Sequence, residues 1–524
     1  MKTLLLPLLL LASTAAPAAP PAGFDARVEA LRAAIGVPGM AVTIVEHGRT
    51  VLAKGYGIRR LGAPDKVDAD TIFMTGSTGK AFTAAALATL VDAGQIGWDD
   101  KVADRLPGFQ MYDPWVTREM TIRDLLVHRS GLGLGEGDLL FVPRTNIPRA
   151  EAVRRLRHLK PATSFRSGFA YDNVLYMVAG QLIEAVTGQR WEDYMRTHVL
   201  LPAGMTHSTT EGATRFATAD RAFPHARTSQ VVRGVGPQAM LDERDELGQS
   251  AAPAGGLAIS ASDMAKWLTL QLAHGQLPNG DRLFSEAQHD EMWKPEILQP
   301  IPPEPEALKG TQPLFDTYAF GWEVRDYHGA KIVWHSGAVL GFQSVVVLIP
   351  DKDVGFAVEI NSEDSEILMG IMYDLLDHYL DLPAQDWPAK FAAYKQDRLA
   401  AAAKALSAET AAPAKAGPSL SLDRYAGPYA DPWYGNIRVD RTATGLAIDF
   451  LSTPRMSGPL EHWQYDTFIA RFTDKTIEPA YVTFGIDQDG HVAGVTMKPV
   501  SPLADFSYDY QDLHFVPMRR EARP

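Results

Sequence analysis

The chain has 524 residues, 46% of them apolar, a formal net charge of −13 and no cysteine. Its length exceeds one ordinary domain, and its apolar fraction suffices for a large core, which excludes a disordered chain. The acidic balance excludes the basic face that a nucleic-acid partner needs, and the lack of cysteine excludes disulfides, a thiolate nucleophile and lipid attachment through sulfur.

The chain opens MKTLLLPLLLLASTAAPA. An early lysine, an apolar run from Leu4 to Ala12 too short to span a bilayer, and Ala16-Pro17-Ala18 as a small-residue cleavage site predict a signal peptide over 1–18. The mature protein is therefore expected to be secreted or periplasmic, with no stable membrane span. Residues 24–383 read as an α+β domain. PGMAVTIVEHGRTVLAKGYGIRR alternates around His47-Gly48, a hairpin with a glycine turn. Residues 74–93 have helical character, as do 175–187 and 262–273, the last with Ser262 or Asp263 as a cap. A second strand group follows in GWEVRDYHGAKIVWHSG, FQSVVVLIP and VGFAVEI. Residues 366–380 then close the domain as an amphipathic helix. Strands at both ends predict one sheet joining the first and last segments. Residues 384–419 turn to Ala, Pro and Lys, a helix running into a linker. Short alternating segments over 420–518 predict a small antiparallel β-barrel.

Candidate chemistry starts at MTGSTGKAFTAAAL, residues 74–87. Residues i and i+3 of a helix share a face, so Ser77 and Lys80 point the same way at a helix N-terminus. A serine hydroxyl is a poor nucleophile until a base takes its proton, and a desolvated lysine amine can do so. The competing explanation is a helix cap beside a surface lysine. Tyr171-Asp172-Asn173 stands before a predicted helix. A tyrosine near a cation can exchange protons, and an asparagine amide can hold a carbonyl or orient the lysine. His335-Ser336-Gly337 stands at a predicted strand end, where glycine lets a substrate backbone approach and histidine can donate to a carboxylate. A second Tyr-x-Asn, Tyr434-Gly435-Asn436, reads as turn and packing. His128 reads as a satisfied structural residue and Asp172 as solvent-facing. No His or carboxylate cluster has metal-ligand spacing, so neither metal nor cofactor is expected.

Ser77-x-x-Lys80, Tyr171-x-Asn173 and His335-x-Gly337, in this order, resemble the three motifs of the serine β-lactamase-related hydrolases. That family includes class C β-lactamases, D-alanyl-D-alanine carboxypeptidases, D-aminopeptidases and family VIII-type esterases. MTIRDLLVHRSGL, LPAGMTHS and PAGGLAISASDMAKW carry the likeness further through 24–383. GPYADPWYGNIRVD and GPLEHWQYDTFIARF resemble the lipocalin-like β domain appended to some members. The resemblance implies a sheet flanked by helices plus a helical subdomain, with the site between them. Ser77 would be the nucleophile, Lys80 and Tyr171 the proton-transfer pair, and Asn173, His335, Ser336 and Gly337 substrate contacts. The N–H groups of Ser77 and Ala338 would form the oxyanion hole. His335 takes the place of the lysine in a Lys-Thr-Gly motif, and a mostly neutral ring there weakens the demand for a substrate carboxylate. The expected activity is acyl-enzyme hydrolysis of peptide or amide bonds, D-residue peptides and peptidoglycan fragments foremost. Ester hydrolysis, β-lactam hydrolysis, and a penicillin-binding sensor that acylates without turnover are the alternatives. An oligomer is compatible with the extra β domain.

Overall fold

A computed structural model describes residues 20–229, 232–244, 247–410 and 416–518. The expected signal peptide, 1–18, lies outside them. Among the described residues no helix is long and apolar enough to cross a membrane.

The hairpin at His47-Gly48 forms between β1 (Gly39–Glu46) and β2 (Arg49–Gly57). Both turn residues take positive φ, 49° and 70°, which a two-residue turn between twisted strands requires. Then follow β3 (Ile72–Met74), β4 (His225–Ala226), β5 (Ala239–Met240), β6 (Ala258–Ser260), β7 (Ile297–Leu298), β8 (Asp316–Tyr318), β9 (Glu323–Tyr327), β10 (Ala330–Val339), β11 (Phe342–Ile349) and β12 (Val354–Ile360). The main sheet has the order β2-β1-β12-β11-β10-β9-β8-β7, antiparallel throughout, so the first and last strand groups do join.

The sheet is covered on both faces, so β1 is buried at every residue instead of alternating. Met40, Val42 and Ile44 pack with Val28 and with Ile367 and Ile371 of the helix Ser365–Tyr379. On the other face Val45, Val346 and Leu348 pack with Leu268 of the helix Ala261–Leu272. That helix is capped by Ser260, whose Oγ accepts from the Asp263 N–H at 3.3 Å, and not by Ser262 or Asp263. The helix predicted over 175–187 forms as Val174–Thr187.

The helix predicted from residue 74 starts later. Met74 belongs to β3, which pairs with β6, and Gly76 has φ +56°, which no α-helical turn accepts. A 3₁₀ turn, Gly76–Gly79, leads into the helix Lys80–Asp92. Its run of small alanines lets neighbours close in; Phe82 stacks on Trp267 with ring centroids 3.7 Å apart.

The helix Trp387–Thr410 lies against Ser365–Tyr379, with Lys395 on Asp364 (2.7 Å) and Glu366 (2.8 Å). Beyond it β13 (Gly427–Asp431), β14 (Gly435–Arg441), β15 (Leu446–Phe450), β16 (Ser457–Gln464), β17 (Thr467–Ala470), β18 (Ala480–Ile486), β19 (Val492–Pro499) and β20 (His514–Pro517) form a closed barrel. Alternate residues such as Ile437 and Val439 on β14, and Leu446, Ile448 and Phe450 on β15, fill its interior. Tyr434 is part of this packing: it is buried, and its hydroxyl pairs with that of Thr453 at 2.6 Å.

Candidate active site

From Thr71 to Lys80 every residue is buried except Ser77, which is half-exposed at a cavity. The turn that presents it is held at several points. The Thr75 N–H donates to the Leu257 carbonyl at 3.0 Å. The Thr75 carbonyl accepts from Ser344 Oγ at 2.6 Å and Thr78 Oγ1 at 3.1 Å. Lys80, one turn on, is fully buried, so it is no surface lysine.

Lys80 Nζ lies 2.9 Å from Ser77 Oγ, 2.7 Å from Asn173 Oδ1 and 3.0 Å from the Ala254 carbonyl. Two of these neighbours can only accept. A neutral amine has two N–H bonds to give them and keeps its lone pair for the serine O–H. Burial favours that form. It pulls the Lys80 pKa down to about 7, against the opposing charges of Asp138 and Asp172. The Tyr171 and Tyr176 rings lie 4.7 and 5.2 Å from Nζ and stabilise the charged form when it appears.

Tyr171, Asp172 and Asn173 precede the helix Val174–Thr187. The Tyr171 hydroxyl is buried, and burial holds its pKa well above the ordinary 10, only partly offset by the neighbouring Ser77 hydroxyl. It therefore stays protonated near neutrality. Asn173 donates through Nδ2 to Asp138 Oδ2 at 2.8 Å, which turns its Oδ1 toward Lys80. Asp172 does not face solvent. It is fully buried, accepting from Ser130 Oγ at 2.8 Å while its N–H donates to His128 Nδ1 at 3.1 Å. His128 is structural in position but satisfied at one nitrogen only, since its buried Nε2 has no partner. Asp172 and His128 lie under the catalytic layer because the chain at His128, φ +57°, turns back beneath Tyr171, whose ring is 4.1 Å from the imidazole.

β10 forms the opposite wall. Gly337 meets the serine turn so closely that a Cβ there would stand 2.0 Å from the Thr75 carbonyl oxygen and 3.1 Å from the Ser77 nitrogen. A Cβ on Gly76 would stand 2.6 Å from the Ala338 nitrogen. The segments that carry the two amides expected to form an oxyanion hole thus approach more closely than any residue but glycine at 76 and 337 would allow. Ser336 is exposed to the cavity. His335 is buried, and both its nitrogens are engaged. Nδ1 donates to the Ser336 carbonyl at 2.5 Å, which leaves Nε2 to accept the Tyr318 hydroxyl at 2.8 Å. Burial and the Lys80 charge lower its pKa to about 3, so the ring is neutral.

The cavity has a volume of about 750 Å³. Ser77, Tyr171, Asn173 and Ser336 line it from the α+β domain, and Phe506 and Ser507 from the barrel. Asp138, Ala254, Tyr318 and Ser507 are the contacts that motif reading missed. Asp138, Tyr318 and Ser507 lie near no motif in sequence, and Ala254, within PAGGLAISASDMAKW, contributes only its backbone carbonyl, which no residue pattern marks. The fold also brings together a His–Asp group that spacing did not show. Ligand atoms of His274, His289 and Asp290 lie within 4.8 Å of one another. They are not among the cavity residues, and the His289 ring lies tilted between those of His274 and Trp293, each centroid 4.2 Å away.

A buried lysine under a serine, beside the inner strand β10 of a helix-covered antiparallel sheet, is the arrangement of a serine hydrolase. Residues 24–377 match the family model described as Beta-lactamase, and 411–517 match one described only as a domain of unknown function. The unguisins hydrolase of Aspergillus campestris (strain IBT 28561) is 30% identical over 424 residues, 77% of this chain and 74% of that one. Penicillin-binding protein 4 of Amycolatopsis lactamdurans is 30% identical over 350 residues, 65% of this chain and 85% of its own. The octameric penicillin-binding protein homologue from Pyrococcus abyssi shares the fold at a TM-score of 0.59 and 21% identity, over 94% of this chain and 99% of that one. The chain belongs to the beta-lactamase family and is a serine hydrolase of it.

Proposed function

We propose that this is an exported acyl-enzyme hydrolase of small peptide and amide substrates with a D-residue on the acyl side, and that it does not require a substrate carboxylate. The observation that carries the proposal is the Lys80 amine, 2.9 Å from Ser77 Oγ with two acceptors for its own protons. Neutral Lys80 takes the Ser77 proton as Oγ attacks the carbonyl. The Ser77 and Ala338 N–H groups hold the oxyanion. Tyr171, kept protonated, hands a proton to the leaving group and is recharged from Lys80. Water then repeats the sequence on the acyl-enzyme. The D-residue preference rests on the family resemblance and on relatives named as a penicillin-binding protein and an unguisins hydrolase. Export rests on the leader composition of residues 1–18.

Indifference to the carboxylate follows from His335. A carboxylate-selective member would place a cation there, whereas here the ring is neutral and tied to Tyr318 and the Ser336 carbonyl. Arg233 and Lys395, which also line the cavity, are tied to Glu363 and to Asp364 and Glu366. We expect kcat/KM for a peptide amide ending in D-Ala-D-Ala-NH2 to equal or exceed that for the free acid, measured side by side at pH 7.5. A preference of tenfold or more for the free acid would mean that Arg398, a cavity-lining cation set over the Tyr394 ring, serves a substrate carboxylate, and the reading would fall. Turnover of p-nitrophenyl butyrate without either peptide would make the enzyme an esterase.

A further inference from the structure

The barrel reaches the catalytic layer through the connection between β19 and β20. Ser507 Oγ donates to Asp138 Oδ2 at 2.8 Å, the same oxygen that accepts from Asn173 Nδ2 at 2.8 Å. Asp509 of the same connection grips the backbone on both sides of Asp138, accepting from the Gly137 N–H at 2.7 Å and the Leu139 N–H at 3.0 Å. Phe506 packs where Gly135, φ +68°, has no side chain; a Cβ there would stand 2.6 Å from the phenyl ring. The chain of contacts is continuous: Ser507 to Asp138, Asp138 to Asn173, Asn173 to Lys80.

We propose that the barrel completes the catalytic hydrogen-bond chain, with Ser507 and Asp138 as positioning residues that fix the Asn173 amide and so aim the Lys80 amine at Ser77. The proposal rests on the reading of Ser77 and Lys80 as the acylating pair. An asparagine amide can flip, and Lys80 can only donate to it. A strict acceptor at Asp138 therefore selects the amide orientation that shows Lys80 an oxygen. Asp138 needs help to serve as that acceptor. It is fully buried, its Oδ1 has no partner, and burial raises its pKa to about 7. Each hydrogen bond donated to Oδ2 favours the carboxylate. Of the two, one comes from the substrate-facing Asn173 and the other from the barrel.

A docking contact alone would affect stability, whereas this chain also affects a titration. The Asp138 carboxylate raises the proton affinity of Lys80. Asp172 acts in the same direction from below, while His128 and His335 hold no charge that competes near neutrality. Asp505 and Asp509 act on Asp138 from the barrel side. Removing the Ser507 hydroxyl weakens the carboxylate, so Lys80 loses part of its opposing charge and its pKa falls. The barrel is anchored elsewhere too, by Arg155 on the Tyr434 carbonyl at 2.5 Å and by the Asn146 N–H on the Ser452 carbonyl at 2.9 Å. It therefore stays docked without that hydroxyl.

The test uses the full chain with p-nitrophenyl butyrate between pH 5 and 9. Asp138→Asn is expected to lower plateau kcat/KM about tenfold or more, and Ser507→Ala several-fold, the range of lost hydrogen bonds to charged groups. In both, the acid limb moves to lower pH. In the Asp138→Asn background, Ser507→Ala moves the limb no further. A Ser507→Ala protein with the wild-type limb and plateau would overturn the proposal, and so would limb shifts that simply add in the double variant. If Asp138→Asn does not fold, Ser507→Ala decides alone. Activity surviving in Ser77→Ala would instead overturn the underlying reading, so the two failures are distinguishable.

Discussion

Lys80→Met is expected to lower kcat/KM by roughly a thousandfold or more, the scale of a lost general base acting with its nucleophile. Methionine matches the volume of the lysine stem in a site that is fully buried but offers no lone pair of comparable basicity to Ser77 Oγ. Tyr171 cannot substitute, because burial keeps its proton on. The loss is not a folding defect. An amine whose pKa is pulled to about 7 resists burial in its charged form, so the variant should unfold at a temperature no lower than wild type at pH 6. The same group sets the wild-type pH profile. The reactive form is the neutral amine, so kcat/KM rises with pH through about 7 and then levels. Two units below the midpoint it should be roughly a hundredfold down. A profile flat from pH 5 to 8, or a Lys80→Met enzyme within tenfold of wild type, would remove Lys80 from the role of base.

Gly337→Ala is expected to cost nearly as much by a different route. The new methyl would overlap the Thr75 carbonyl oxygen at 2.0 Å and Ser344 Oγ at 2.6 Å. Both are held, since Thr75 is bonded to Leu257 and Ser344. β10 must therefore move away from the serine turn and take the Ala338 N–H with it. Loss of one oxyanion donor costs on the order of a hundredfold in kcat, and overpacking costs about 1–3 kcal/mol of stability. The measurements are kcat, KM and thermal unfolding. A fall in kcat with little change in KM is expected, because the donor acts where charge develops. Wild-type kcat in a folded Gly337→Ala protein would mean that β10 does not supply the oxyanion hole.

The parts of the site legible in the sequence are those whose partners lie within one turn or one strand step. Ser77 and Lys80 share a face, Tyr171 and Asn173 flank a helix start, and His335 and Gly337 alternate on β10. The parts not legible depend on distant pairings. Asp138 opens a three-residue 3₁₀ turn, Asp138–Leu140, too short to carry a periodic pattern, and Ser507 lies 369 residues away from it. Asp172 read as exposed because a charged residue before a helix usually is. Its burial follows from the turn at His128, which only the folded chain reveals. The helix predicted from Met74 starts six residues later, because strand pairing of Met74 with β6 and the positive φ of Gly76 override local helical character. The sheet order was legible in outline because strand-rich segments stand at both ends of the domain. The double-sided burial of β1 was not, because the small and polar residues Ala41, Thr43 and Glu46 give it an alternating pattern although all are buried between two helix layers.

The most direct test of the account is the covalent one. The enzyme, mixed with p-nitrophenyl butyrate and quenched in acid within the first turnovers, is digested and weighed. The account predicts a butyryl adduct on the peptide carrying Ser77, a burst of one p-nitrophenol per enzyme, and neither in Ser77→Ala. Steady turnover by Ser77→Ala, or an adduct on any other residue, would contradict it.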